Sequence, residues 1–179
     1  MHWDDIPKFT SCGNYFTNVP VLHIERTLNY YKDEYNLELN PDFQRGNVWT
    51  EAQQIAYLEY FFRGGQSAKD IYFNCPDFSF NSSSSCGKQQ DIHNMVCVDG
   101  LQRLTAFLRF LRDELPIFGG HYFSDFEGKP RSTEYALTFH VNSLLTRREV
   151  LTWYIEMNSG GTIHTSDEIA RVKAMLEEA

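Results

Sequence analysis

The segment that most constrains this 179-residue chain covers residues 96–105, where an apolar strand pattern runs directly into a helix pattern. Asp99 and Gly100 lie between the two patterns, and Gln102 and Arg103 fall in the first helical turn. The free N–H groups of that turn favour anions, so the segment predicts a site for a phosphate group. Asp99 is placed equally well to cap the helix, and the residues alone leave both roles open.

The composition indicates one folded domain of acidic character. The chain is 42% hydrophobic, with a net charge of −8 and a pI near 5.2. This length and apolar content are enough for a sizeable core. Because phosphate neutralisation supplies most non-specific affinity for DNA, the acidic balance argues against tight non-specific DNA binding. A local basic patch has five candidate members: Arg103, Arg109, Arg112, Arg147 and Arg148.

Cysteine usage and the N-terminal sequence predict a cytoplasmic protein with reduced thiols. The cysteines at positions 12, 75, 86 and 97 form no Cys-x-x-Cys pair, which argues against a zinc site and a disulfide scaffold. We expect no signal peptide and no membrane span, since no suitable apolar run is present. Cys97 lies in an apolar strand, where a thiol is usually inert.

Hydrophobic periodicity predicts an α+β domain over residues 17–179, after an irregular lead-in over residues 1–16. Helices are predicted over 23–31, 101–111, 146–157 and 165–176, and from a capping box at Thr50 to Gly64. Extended segments or strands are predicted over 19–22, 37–39, 71–73, 94–98, 122–126 and 135–141. A serine-rich loop within 76–92 is expected to join two hairpin strands.

Two further motifs carry weaker signals. Gln44 and Arg45 lie between a strand and a helix, where arginine can grip a phosphate with two donors; a plain surface loop is the commoner alternative. Asn158, Gly160 and Gly161 follow a helix. Paired glycines there usually form a C-cap and turn, but they also allow a ligand to approach the backbone.

The order of these three motifs resembles the DUF262 family, the N-terminal module of GmrSD-type restriction proteins. The resemblance spans roughly residues 17–175, and the Asp-Gly-x-Gln-Arg-Leu-Thr block beginning at Asp99 is its most specific part. That family is similar in fold to the ParB N-terminal and sulfiredoxin group. The resemblance therefore implies a small mixed sheet packed with several helices.

The resemblance also implies nucleotide binding, often with metal-dependent hydrolysis of a nucleoside triphosphate. Asp99 would handle Mg²⁺ or the attacking water, and Arg103 would neutralise charge on the phosphate. The remaining implied nucleotide-binding residues are Gln44, Arg45, Gly100, Gln102, Asn158, Gly160 and Gly161. Leu101 stands where the family has its first glutamine. Sulfiredoxin chemistry is rejected, because the matching turn holds Leu101 instead of a reactive cysteine.

Three functions are open at this point. The first is a nucleoside triphosphate phosphohydrolase acting in bacterial or phage defence or counter-defence. The second is a non-catalytic module that binds a nucleotide or a protein partner; because nuclease activity in this family resides in a further domain, a separate nuclease subunit is one such partner. The third is a DNA-binding or nicking protein on a ParB-like fold. The oligomeric state is left open.

Overall fold

Four short strands form one mixed sheet in the computed structural model, which describes residues 2, 5, 15–44, 46, 48–78, 90–159 and 166–178. The strands are β1 (Tyr15–Pro20), β2 (Asp70–Asn74), β3 (Val96–Asp99) and β4 (Ala136–Asn142). Their order across the sheet is β1-β4-β2-β3. Strand β4 is antiparallel to β1 and parallel to β2, and β2 and β3 are antiparallel neighbours. The α+β class is confirmed.

The described part of the chain contains five α-helices. They are α1 (Ile24–Tyr35), α2 (Glu51–Phe62), α3 (Leu101–Leu111), α4 (Arg147–Ser159) and α5 (Ser166–Glu178). The predicted capping box at Thr50 is confirmed: Gln53 N–H donates to Thr50 Oγ1 at 3.3 Å, and Thr50 N–H donates to Gln53 Oε1 at 2.8 Å. This reciprocal pair satisfies two backbone donors and fixes where α2 begins.

The two faces of the sheet bury different cores. Alternate residues of the central strands, such as Phe73 and Phe139, pack with α1, α2 and α3, where Phe61 and Phe107 are fully buried. The opposite face carries a smaller core, in which Val98 of β3 packs with residues of α4 and α5. The period-two pattern of the strands thus places helices on both sides of the sheet.

A β-bulge changes the register where β3 ends. Phe73 pairs with Cys97, but the next pair is Tyr72 with Asp99, so Val98 is the extra residue. Bulges of this kind re-aim side chains at strand ends. Here the bulge sets Asp99, instead of Val98, opposite Tyr72 immediately before α3.

Several predicted boundaries shift. Strand β1 begins at Tyr15, inside the predicted lead-in, and α1 continues to Tyr35. The predicted strand over 37–39 amounts to one bridge, Glu38 with Val96. Thr165, the predicted first residue of the last helix, and residues 79–89 of the predicted serine-rich loop lie outside the described residues.

The strand predicted over 122–126 is wrong. This segment contains a 3₁₀ turn, Phe123–Asp125, in which Tyr122 N–H donates to the Asp125 carboxylate at 2.9 Å. Short acidic side chains compete in this way with strand pairing, because they offer the backbone a local acceptor.

Of the helices in the described ranges, none has the length and apolar character needed to cross a bilayer.

Gly100 is the position at which we expect the fold to tolerate substitution least. Its φ is +113°, and an added Cβ would lie 2.6 Å from Ile71 Cδ1. Gly100→Ala should lower the free energy of unfolding by about 3 kcal/mol, combining backbone strain of about 1–2 with overpacking of about 1–3 kcal/mol. Urea denaturation measures this change.

The matched control is Gly119→Ala. Gly119 also has a positive φ, +84°, but an added Cβ would meet nothing within 4 Å. This variant should therefore show only the backbone cost, about 1–2 kcal/mol. Equal losses in the two variants would contradict the close approach of Gly100 to Ile71.

Candidate functional site

A cavity of about 150 Å³ lies where β3 ends and α3 begins. It brings together residues of all three sequence motifs: Gln44, Asp99, Gly100, Gln102, Arg103 and Asn158. These residues come from positions up to 114 apart in the sequence, the separation of Gln44 and Asn158. Arg45, Gly160 and Gly161, the other residues implied by the resemblance, lie outside the described residues.

The start of α3 has no side-chain cap. Gly100 occupies the N-cap position, and no side chain of the described residues accepts a hydrogen bond there. Asp99 therefore does not cap the helix, which removes the structural role that its position had left open. The uncapped N–H groups of the first turn carry the positive end of the helix dipole.

Asp99, two residues before α3 begins, forms an ion pair with Arg103 in the first turn of the helix. A guanidinium Nη2 of Arg103 donates to Asp99 Oδ2. The Arg103 side chain is 17% exposed and that of Asp99 is 41% exposed. The Nε–H group of Arg103 is buried and has no hydrogen-bond partner within the described ranges. Arg103 therefore retains a guanidinium donor that no described residue uses.

Gln102 holds the loop that closes one side of the cavity. Its Nε2 donates to Gly46 O at 2.5 Å, and its Oε1 accepts from Val48 N at 3.0 Å and from Trp49 N at 3.1 Å. Both ends of the amide are thus engaged by the loop before α2. The contacts give Gln102 a positioning role between two sequence motifs that are more than 50 residues apart.

The amides of Gln44 and Asn158 are also anchored to the backbone. Gln44 Nε2 donates to Cys97 O at 2.5 Å, and Asn158 Nδ2 donates to Tyr154 O at 2.7 Å. The first bond ties the loop between α1 and α2 to β3, and the second lies within the last turn of α4. Asp99 and Arg103 remain as the charged side chains that face it.

Aromatic side chains complete the wall, and sequence reasoning did not assign them to the site. Trp49 and Tyr154 line the cavity, and the rings of Trp49 and Tyr57 lie 5.4 Å apart. Burial raises the pKa of Tyr57, with Arg103 as a weaker opposing influence. Trp49 follows the Gln44–Arg45 motif by four residues, and this proximity is the sequence signal that could have placed it at the site.

The residues that line the cavity fit Mg²⁺ only together with a phosphate. Asp99 is the single carboxylate among them, and no cluster of three or more metal-ligating side chains occurs in the described ranges. Protein-bound Mg²⁺ often uses one or two carboxylates, with phosphate oxygens and waters completing its octahedron. Asp99 meets that minimum, because its second oxygen is not taken by Arg103.

Comparison with known proteins identifies no family model, no curated protein and no solved structure that this chain matches.

The loop contacts of Gln102 lead to a stability prediction. Gln102→Glu keeps the acceptor for Val48 and Trp49 but replaces the donor to Gly46 O with a second oxygen. The free energy of unfolding should fall by about 1–3 kcal/mol, the cost of a lost part-buried hydrogen bond. Thermal and urea denaturation measure the loss.

The control is Gln66→Glu. Gln66 makes the same kind of bond, from Nε2 to Gly64 O at 2.9 Å, but on an exposed loop. Water can replace the lost donor there, so the change should stay within about 0.5 kcal/mol. A Gln102→Glu variant as stable as this control would exclude the positioning role.

Cys97 lies beside the site but should not react. Its thiol is fully buried and donates weakly to Asp99 O at 3.6 Å. Burial raises its pKa from 9.0 to about 12. At pH 8, iodoacetamide should leave Cys97 unmodified in the folded protein and alkylate it in guanidinium chloride, as peptide mass spectrometry can show.

The same pKa shift predicts a loss of stability at high pH. Because folding favours the neutral thiol, the stabilisation is complete below pH 9.0 and is lost as the pH rises toward 12. In the alkylation test, rapid modification of Cys97 in the folded protein at pH 8 would contradict both the burial of the thiol and its raised pKa.

Proposed function

We propose that this chain binds the phosphates of a nucleoside triphosphate at the start of α3 and hydrolyses the terminal phosphate. The observation that carries the proposal is the largely buried Arg103, whose Nε–H has no partner in the described ranges, beside an uncapped helix N-terminus. Both features attract an anion, and they lie in one cavity. The DUF262 resemblance supports the same ligand.

The size of the cavity suits a phosphate chain better than a whole nucleotide. Pockets that enclose a drug-sized ligand are usually about 300–1,000 Å³, whereas this one is about 150 Å³. The phosphates would occupy the cavity, and the sugar and base would lie outside it. This arrangement would contact the phosphates more closely than the base.

Arg103 and Asp99 would have different roles in hydrolysis. Arg103 would turn its guanidinium from Asp99 toward the phosphate and neutralise the negative charge that develops there. Asp99, released from that ion pair, would accept a proton from water near the terminal phosphate. Bound Mg²⁺ would supply charge neutralisation, with Asp99 as its protein ligand.

The leucine at position 101 is compatible with phosphate binding. Leu101 is buried, so a side chain at this position packs within the protein. The backbone N–H groups of the first turn do not depend on the identity of that side chain. A phosphate can therefore be held by N–H groups and Arg103 without a glutamine here.

Binding without turnover is the second candidate, and one contact favours it. Asp99 Oδ2 is already bonded to Arg103, so this oxygen does not reach a substrate water while the pair is intact. If the ligand does not separate this pair, the domain would bind nucleotide as a sensor. Separate measurements of binding and of phosphate release distinguish the two functions.

DNA binding is less well supported. Four of the five arginines considered for a basic patch form ion pairs: Arg103 with Asp99, Arg109 with Glu51, Arg112 with Glu25, and Arg147 with Asp42. Paired arginines offer little net charge to a phosphate backbone, and the chain as a whole carries −8.

Nucleotide binding and hydrolysis are tested with ATP, GTP, CTP and UTP in the presence of Mg²⁺. Calorimetry should show binding of at least one of them, and Arg103→Gln should weaken it at least about tenfold, the loss expected for a charge-assisted contact. At saturating nucleotide, Asp99→Asn should reduce phosphate release by about 100-fold or more, the contribution of a general base.

Arg112→Gln is the matched control. Arg112 lies just after the last residue of α3 and pairs with Glu25 in an exposed bridge, away from the cavity. Its removal should leave affinity unchanged. Equal effects of Arg103→Gln and Arg112→Gln, or binding of no nucleotide, would overturn the proposal. Normal binding without phosphate release would select the sensor.

A further inference from the structure

Strand β1 presents an unpaired edge in the described part of the sheet. Thr138 N–H donates to Lys69 O, and Asn142 O accepts from Cys75 N–H, so the even-numbered residues of β4 point their backbone groups toward β2. The odd-numbered residues then bond to β1. With the register between β1 and β4, this leaves the backbone N–H and C=O groups of Phe16 and Asn18 directed outward.

Large aromatic side chains are exposed along this edge. Phe16 is 68% exposed, Tyr15 is 51% exposed, and Tyr30 on the adjacent helix is 52% exposed. An exposed strand edge flanked by apolar side chains is a template for pairing with another segment.

A groove of about 640 Å³ lies between β1 and α1. One face of α1 forms its helical wall, with Thr27 and Tyr30 in line with the N-cap residue His23 at intervals of four and three residues. Tyr31 and Phe78 form part of its floor, and their rings lie 5.8 Å apart. A groove between an edge strand and a helix is the geometry that binds an extended peptide by strand addition.

The charge of the groove is opposite to that of the chain. Arg26 and His23 line it, and no carboxylate does so among the described lining residues. Arg26 is exposed and makes no ion pair with a described residue. In a protein of net charge −8, this groove therefore favours a carboxylate-bearing ligand.

We propose that an extended acidic peptide from another protein binds here, adding a strand beside β1 with its carboxylate near Arg26. A second copy of the chain is a poorer occupant. The sequence of β1, Tyr-Phe-Thr-Asn-Val-Pro, contains no acidic residue that could meet Arg26. The site is separate from the cavity at α3, and the two share no lining residue.

The test starts from a randomised 12-residue peptide library displayed on phage and selected against the wild-type protein. Enriched peptides should alternate apolar and polar residues and carry Asp or Glu. One such peptide, synthesised with a fluorophore, is then measured by fluorescence anisotropy. Asn18→Pro should weaken its binding by about tenfold or more, because proline removes an outward N–H donor from the edge.

Asn18→Ala is the control. Both variants lose the side-chain contact with Thr138 Oγ1, but alanine keeps the backbone donor, so Asn18→Pro should bind the peptide about tenfold or more weakly than Asn18→Ala. Pro20 already occupies an outward-pointing position of β1, so we expect a second outward-pointing position, Asn18, to accept proline without unfolding the strand. Arg26→Glu should abolish the preference for acidic peptides.

Three results would overturn the proposal: no enriched peptide, equal binding by Asn18→Pro and Asn18→Ala, or unchanged acidic preference in Arg26→Glu. A concentration-dependent dimer that Asn18→Pro dissociates, measured by analytical ultracentrifugation without peptide, would instead identify a second copy as the occupant.

Discussion

The close approach of Gly100 to Ile71 is the constraint on which the rest of this structure depends. Strand β3 and helix α3 are separated by this one residue, and only a glycine with φ near +113° fits against the neighbouring strand. The turn directs α3 into the main core, where Leu104 and Phe107 are fully buried. It also sets the free N–H groups of α3 beside Asp99, so core packing and the candidate site share one local geometry.

Around this turn, neutral side chains fix positions and charged side chains are available for chemistry. Gln102 and Gln44 bond to backbone groups of other segments and hold the cavity walls, and Asn158 bonds within α4. Asp99 and Arg103 bond to each other and keep spare donor and acceptor capacity. An anion that binds Arg103 would break the ion pair between Arg103 and Asp99. Ligand binding would therefore free the Asp99 carboxylate for a new partner.

The elements nearest the site were predictable from sequence because local signals agree there. The capping box at Thr50 and the periodicity of α3 are local, and both predictions are confirmed. The anchoring role of Gln102 was not predictable, since it depends on a loop more than 50 residues away. The bulge that sets Asp99 opposite Tyr72 depends on strand pairing, and the wrong strand at 122–126 followed from β-forming residues whose backbone is satisfied locally by Asp125.

Backbone amide chemical shifts can show whether phosphate binds at the first turn of α3. A ¹⁵N-labelled sample would be titrated with Mg²⁺ and the nucleoside triphosphates in turn, with inorganic tripolyphosphate as a ligand that lacks the base. With phosphate bound there, the largest amide shift changes should occur at Leu101, Gln102 and Arg103 and saturate together, with tripolyphosphate reproducing them. Unchanged amides at these three positions, under saturating concentrations of every ligand, would contradict phosphate binding at this turn.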